Sequence, residues 1–275
     1  MTSTVLLTIL FIDAGPTRSA WVIVEVRSDG TIVPIQGGWH GMTDIAWLGA
    51  LMESVWKTNG VVCLEYIDGA LYDRKRWQDL GETQRVEGDI RTVAKMRGAR
   101  HVMLPFHEMP AARKSQPKTL FCVPASSWRK KILHRGNAGN AEIALVVLYV
   151  CGREVAYKPG KVERVIDLPA ARGDAREHLY DAIGGALAMA EVFLGVVLKI
   201  PNDVRAAQEK VRTEARQKKA IARTLAGLGV SEDRVKAANG MPIEGLKKRK
   251  PSRGVKGARR AVSLNSRAMK ARSRG

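Results

Sequence analysis

Three carboxylates stand at positions where an apolar element begins or ends. Asp13 follows the apolar run 5–12, Glu65 follows the run 61–64, and Asp181 opens an otherwise apolar helical stretch. A carboxylate at the edge of an apolar element costs desolvation free energy unless a cation or a donor offsets it. Strand ends and a helix start can converge at one sheet edge, where carboxylates repel unless a divalent metal lies among them. Oxygen ligands without a Cys or His cage favour Mg²⁺ or Mn²⁺.

Each of these residues also has an ordinary structural explanation when it is taken alone. Asp13 suits a turn, Glu65 suits a strand end, and Asp181 near a helix N-terminus is favoured by the helix dipole. His178 precedes Asp181 by three residues, which places both side chains on one helix face, although a lone histidine there can simply be a surface residue. The metal-site hypothesis therefore depends on the combination.

The elements that must position these residues follow a simple order. Apolar, β-branched runs at 4–12, 20–27 and 31–35, separated by turn residues, predict three consecutive antiparallel strands. Alternating helices and strands follow, so the fold class is α/β with a mixed sheet covered by helices. The later elements are helices near 43–58, 81–97, 125–134, 140–151 and 175–197, a strand at 61–64, and a further strand at 101–104 or 120–123. The segment 107–118 is predicted to be a polar, mobile loop.

The positive charge of the chain is concentrated at its C-terminal end. The 275 residues carry a net charge of +19, and residues 201–275 hold 21 Lys and Arg against 6 Asp and Glu, a net of +15. Residues 203–226 have helical spacing, whereas the stretch after Glu244 has 12 basic residues, no acidic ones and no periodic apolar face. We expect that tail to be disordered when free and to contact phosphates; solubilising charge is the alternative.

Composition also limits the classes of protein to which the chain can belong. No apolar run reaches the roughly 20 residues that cross a bilayer, and the run 5–12 lacks a basic segment before it and ends at Asp13. The three cysteines are far apart, which indicates a reducing compartment and no disulfide framework. A soluble, cytoplasmic, nucleoid-associated protein with polyanionic partners is expected.

Four segments, in chain order, resemble motifs of the RuvC-like Holliday junction resolvases of the RNase H-like superfamily. The similarity covers about residues 5–197. The segments are 9–17 (ILFIDAGPT) with the strand at 21–23, 61–65 (VVCLE), 128–131 (WRKK) with 136–142 (GNAGNAE), and 178–182 (HLYDA) with 185–188 (GALA).

The resemblance implies a fold, an activity and a set of site residues. The fold is an RNase H-like mixed sheet, with three antiparallel strands followed by parallel ones. The expected domains are a nuclease domain over 1–200, a basic helical extension over 201–240 and a disordered tail over 241–275. The activity is that of a crossover junction endodeoxyribonuclease in DNA recombination and repair. An enzyme of this class acts as a homodimer that makes paired nicks in branched DNA and leaves 5′-phosphate and 3′-hydroxyl ends. The helix near 81–97 is the expected dimer contact.

The resemblance also assigns individual residues. It makes Asp13, Glu65, Asp181 and His178 the catalytic metal ligands for two Mg²⁺ (or Mn²⁺) ions per active site. By the same resemblance, Arg129, Lys130 and Lys131 of the basic segment are expected to contact DNA, and Tyr66 or Tyr72 is the candidate substitute for the family's stacking aromatic. Independently of the resemblance, the charge of the tail makes Lys247, Lys248, Arg249 and Lys250 expected phosphate contacts.

Three departures from the family pattern accompany these assignments. Asp68 stands where the family has its aromatic residue, and Glu142 and Ile143 stand where it has a lysine, for which Lys130 or Lys131 is the substitute. The long basic tail indicates a divergent or phage-encoded member, which would act in the host cytoplasm.

Other functions remain open at this stage. A transposase-like or RNA-processing nuclease would use the same fold and the same carboxylates. A sugar-kinase or actin-like ATPase is disfavoured, because the core has only about 200 residues and no second phosphate loop is evident. A non-enzymatic basic protein that coats DNA or RNA through the tail is the remaining alternative.

Overall fold

The structure is a computed structural model that describes residues 3–16, 18–41, 45–67, 77–158, 161–168, 176–196, 198 and 200–227. The chain divides into two compact units, Met1–Ala215 and Arg216–Gly275. The first unit contains the whole sheet and every helix except the end of the last one. Within the described residues, no helix is both long enough and apolar enough to cross a membrane.

In the part of the chain that the structure describes, eight strands form two sheets. The strands are β1 (Val5–Asp13), β2 (Arg18–Arg27), β3 (Ile32–Gly41), β4 (Val61–Tyr66), β5 (Arg100–Val102), β6 (Thr119–Pro124), β7 (Arg153–Lys158) and β8 (Lys161–Val165). The main sheet has the order β3-β2-β1-β4-β6-β5, and β7 and β8 form a separate hairpin. β2 is antiparallel to β1 and β3, whereas β4, β5 and β6 pair in parallel with their neighbours. The predicted fold class, an α/β mixed sheet of three antiparallel strands followed by parallel ones and flanked by helices, is confirmed.

The described residues contain seven helices. They are α1 (Ile45–Lys57), α2 (Trp77–Met96), α3 (Met109–Ser115), α4 (Ala125–Leu133), α5 (Asn140–Cys151), α6 (Arg176–Leu194) and α7 (Asn202–Gly227). Buried residues of α4, α5 and α6 form one core with one face of the sheet, and buried residues of α1 and α2 form a second core with the other face. The sheet is therefore covered on both sides, which explains why its central strands are apolar throughout.

Strand alternation decides which face each carboxylate reaches. Ile9 and Phe11 of β1 belong to the core under α4–α6, whereas Leu10 and Ile12 belong to the core under α1 and α2. Because side chains alternate along a strand, Asp13 falls in phase with Phe11. β4 has the same pattern: Val61 and Cys63 join the first core, and Val62 and Leu64 join the second, so that Glu65 also faces α4 and α6.

Two parts of the fold differ from the sequence-based expectation. The segment 107–118 was predicted to be a mobile loop, but it contains α3, which has Pro110 in its first turn and a fully buried Met109 at its start. A single buried Met anchors this short helix, and one apolar residue gives no periodic pattern. The hairpin of β7 and β8 was not predicted either, because its strands are rich in charged residues. Both alternatives for the further strand hold, since β5 and β6 are both present.

Candidate active site

Asp13 and Glu65 are brought together by the pairing of two central strands. β1 and β4 run in parallel with Asp13 directly opposite Glu65 in the register. Both side chains are buried, at 7% and 6% exposure, although each is a carboxylate. Their strands end at the same edge of the sheet, so the convergence expected from the sequence is present for this pair.

Helix α6 supplies the remaining two candidate ligands. His178 lies in its first turn, and its Nδ1 is 3.2 Å from Oδ2 of Asp13. The His178 side chain remains 60% exposed, and its ring stands edge-on to Trp39 at 6.2 Å between centroids. Asp181 follows by one turn and is only 5% exposed. The structure thus places all four sequence-predicted residues at one site.

Two consecutive residues of α4 contact this group of carboxylates. The indole Nε1–H of Trp128 donates a 2.7 Å hydrogen bond to Oε2 of Glu65. The guanidinium of Arg129 donates to Oδ2 of Asp181 at 3.1 Å. The contact of Trp128 with Glu65 was not predicted from the sequence. The available signal was a tryptophan on the apolar face of a helix, because a buried indole N–H needs an acceptor.

The electrostatics of the site follow from burial and crowding. Burial raises the pKa of Glu65 well above its usual range; the neighbouring carboxylates Asp13 and Asp181 raise it further, and Arg129 opposes them. Burial likewise raises the pKa of Asp181 from 3.8 to about 7 against the attraction of Arg129, with Asp13 adding to the rise. The hydrogen bond to Asp13 raises the pKa of His178. The site therefore favours added positive charge.

The donor set fits a hard divalent cation. Carboxylate oxygens are the ligands that Mg²⁺ and Mn²⁺ prefer, and Oδ1 of Asp181 is buried with no hydrogen-bond partner among the described residues. Among the described residues, however, no three His, Cys, Asp or Glu side chains already form a metal-binding group. Arg129 and Trp128 each donate to one carboxylate oxygen, of Asp181 and of Glu65, so an ion would bind through the other oxygen of each carboxylate.

The residues expected to contact DNA have different surroundings. Arg129 is only 20% exposed and is paired with Asp181, so its charge is directed at the site. Lys131 pairs with Glu191 at 2.9 Å. Lys130 is exposed and, with Tyr66, lines a groove of about 450 Å³ that also includes Phe106. Tyr72, Lys247, Lys248, Arg249 and Lys250 lie outside the described residues.

Glu142 stands at the position where the RuvC-like resolvases have a lysine, and its side chain is engaged in a contact within the fold. Glu142 is buried at the start of α5 and forms an ion pair with Arg135. Its carbonyl oxygen accepts a 3.2 Å hydrogen bond from Gln208 of α7. Glu142 thus serves the packing of α5, and it brings no positive charge to the site.

Of the comparisons with known proteins, the one with solved structures finds matches. No family model matches the chain, and no curated protein matches its sequence. Thermus thermophilus RuvC in complex with a Holliday junction substrate is 16% identical with a TM-score of 0.43, covering 69% of this chain and 97% of that one. A second Thermus thermophilus RuvC structure is 15% identical with a TM-score of 0.43, covering 69% and 98%. The yeast mitochondrial Holliday junction resolvase is 10% identical with a TM-score of 0.38, covering 74% and 83%. Holliday junction resolvases, the class that the sequence motifs resemble, are therefore what the chain is similar to, at low identity.

Proposed function

We propose that the chain is a divalent-metal-dependent endonuclease that cuts four-way or other branched DNA by paired nicks, with Asp13, Glu65, Asp181 and His178 as its site. One observation carries the proposal: four residues from three separated segments converge at one edge of an RNase H-like sheet. Three of them are buried carboxylates, and burying them together is costly unless positive charge joins them.

Each residue of the site has a task in this chemistry. Asp13, Glu65 and Asp181 would hold Mg²⁺ or Mn²⁺, two ions in the proposed site. When bound, these ions would supply charge stabilisation at the phosphate and a lowered pKa for the attacking water. The Nδ1 of His178 is occupied by Asp13, so its Nε2 is the ring atom left to join these carboxylates as a metal ligand. Arg129 holds Asp181 in place from the other side.

The surface next to the site supports binding to a nucleic acid. Lys130 and Tyr66 lie beside the end of β4, one offering charge to a phosphate and the other an aromatic face to a base. The C-terminal residues 228–275, with 14 Lys and Arg against 3 Asp and Glu, would add phosphate contacts that are independent of the DNA sequence. Paired nicks require two sites, so the proposal includes a homodimer, for which α2 is the contact that the resemblance implies.

The test compares substrates and metal ions directly. The full chain is incubated with a synthetic four-way junction, a linear duplex of the same sequence and an RNA hairpin, each with Mg²⁺, Mn²⁺ or EDTA. We expect metal-dependent symmetric nicks in the junction and little cutting of the duplex. Asp13→Asn serves as the matched inactive protein, because it removes one charge and keeps the side-chain shape.

The alternatives give different results in the same assay. Preferred cutting of the RNA would favour an RNA-processing nuclease on this fold. Binding of every substrate without cutting in either metal would favour a non-enzymatic nucleic-acid-coating protein, and the proposal would then be wrong.

A further inference from the structure

We propose that Trp128 is a positioning residue that holds Glu65 in its metal-binding orientation through the indole N–H. This inference rests on the proposed function, because it assigns Glu65 the role of a metal ligand. The hydrogen bond joins Nε1 of Trp128 to Oε2 of Glu65 over 2.7 Å, with both side chains buried. It leaves Oε1 as the carboxylate oxygen not engaged by the indole.

The indole can fix the carboxylate because the ring itself is tightly held. Trp128 is fully buried and packs edge-on against Phe11 at 6.3 Å between centroids. On the opposite helix, a Cβ at Gly184 would lie 2.9 Å from Cζ3 of Trp128, and one at Gly185 would lie 2.2 Å from Cζ of Phe11. Two consecutive glycines of α6 therefore make room for the two rings. A donor placed in so fixed a ring restricts its acceptor to one rotamer.

A hydrogen bond from a neighbouring donor to a ligating carboxylate affects how tightly the metal ion is bound. Such bonds fix the direction of the ligand, and their loss typically weakens metal binding by roughly 10- to 100-fold. Trp128 is not itself a ligand, since an indole offers a donor only. Its effect on metal binding must therefore pass through Glu65, and that is the feature to be tested.

The chain offers a matched control for removal of this bond. Trp56 is also buried, and its Nε1–H donates a 3.2 Å hydrogen bond to the carbonyl oxygen of Thr119, in the core on the other face of the sheet. Trp56→Phe and Trp128→Phe both delete a buried indole donor and keep an aromatic ring. Only Trp128→Phe removes a donor to a carboxylate.

The experiment measures metal affinity without DNA or turnover. Mn²⁺ is titrated calorimetrically into the full-length wild type, Trp128→Phe and Trp56→Phe, and thermal unfolding in EDTA is recorded for each. We expect the affinity to fall by roughly 10- to 100-fold in Trp128→Phe and to stay within about twofold in Trp56→Phe. Equal affinities in wild type and Trp128→Phe would overturn the inference while leaving the proposed function intact. Absence of Mn²⁺ binding by the wild type would instead remove the proposed function and the inference together.

A second measurement keeps the inference testable if Trp128→Phe does not fold. In ¹⁵N-labelled wild type the indole N–H resonance of Trp128 is identified as the one that moves in Glu65→Gln. We expect Mg²⁺ to shift this resonance and to leave that of Trp56 in place, because only the Trp128 donor contacts a ligand. If no indole resonance responds to Glu65→Gln, or if Mg²⁺ leaves the Trp128 resonance unmoved, Trp128 does not act through Glu65.

Discussion

Neutralising Asp181 should stabilise the metal-free protein, even though the residue belongs to the proposed site. Burial raises the pKa of Asp181 from 3.8 to about 7, despite its ion pair with Arg129. A folded-state pKa above the unfolded value means that the folded protein keeps a proton that the unfolded chain releases. The stability that protonated Asp181 contributes is therefore fully present below about pH 4. It falls as the pH rises from about 4 to 7 and is absent above that.

The size of the effect follows from the shift. About three pKa units at about 1.36 kcal/mol each correspond to roughly 4 kcal/mol at pH 8. Asp181→Asn cannot ionise, so it should avoid this loss. The pKa of about 7 already includes the attraction of Arg129, so only imperfect hydrogen bonding of the buried amide can offset part of the gain. We expect Asp181→Asn to exceed the wild type by about 1 to 4 kcal/mol in free energy of unfolding at pH 8, and to match it near pH 3.5.

Urea unfolding in EDTA at several pH values between 3.5 and 8 measures this difference. Glu177→Gln is the control, because Glu177 lies on the same helix and is exposed, and its charge makes the smallest of the contributions that raise the pKa of Asp181. Added Mg²⁺ should then stabilise the wild type and have a smaller effect on Asp181→Asn. An Asp181→Asn protein that is no more stable than the wild type at pH 8 would show that Arg129 fully compensates the buried charge, and would refute the reasoning.

Three further outcomes follow from the site and the tail. Asp13→Asn, Glu65→Gln and Asp181→Asn should each abolish junction cleavage while binding is retained; near wild-type turnover in Mg²⁺ by one variant would exclude that residue as a ligand. His178→Ala should be milder and should change the preference between Mg²⁺ and Mn²⁺, measured as the ratio of cleavage rates, because imidazole suits Mn²⁺ better; an unchanged ratio would make it a surface histidine. Truncation after Gly227 should retain junction preference but flatten the slope of log K against log salt by roughly 3 to 4 units if four phosphate contacts are lost; an unchanged slope would show that the tail does not touch DNA.

The truncation is placed after Gly227 because of a contact near the start of α7. The sequence alone suggests a boundary near residue 200. Gln208 of α7 donates to the carbonyl oxygen of Glu142, and Val204 and Ala207 line a groove with Leu148 of α5. Cutting before these residues would disturb α5 and confuse a loss of folding with a loss of DNA contacts.

The sequence was sufficient for the features that depend on local pattern. β-branched runs predicted the three antiparallel strands, and the acidic residues that follow the apolar runs 5–12 and 61–64 predicted the edge where Asp13 and Glu65 meet. Contacts between distant segments have no such pattern. The basic segment predicted that Arg129 faces DNA, and only the packing of α4 against α6 shows that it pairs with Asp181, 52 residues away. The bond from Trp128 to Glu65 spans 63 residues and likewise has no local signature.

The alternation that turns both strand-end carboxylates toward α4 and α6 also restricts how this chain can vary in length. One residue inserted into β1 or β4 just before Asp13 or Glu65 would shift the carboxylate by one position in the strand alternation. Its side chain would then point to the opposite face of the sheet. A two-residue insertion would keep the face and move the carboxylate outward by about two strand rises, or roughly 7 Å. Homologues that retain the site should therefore show no length variation within these two strands. Their insertions and deletions should instead fall in the connections, where length is not tied to the direction of a side chain.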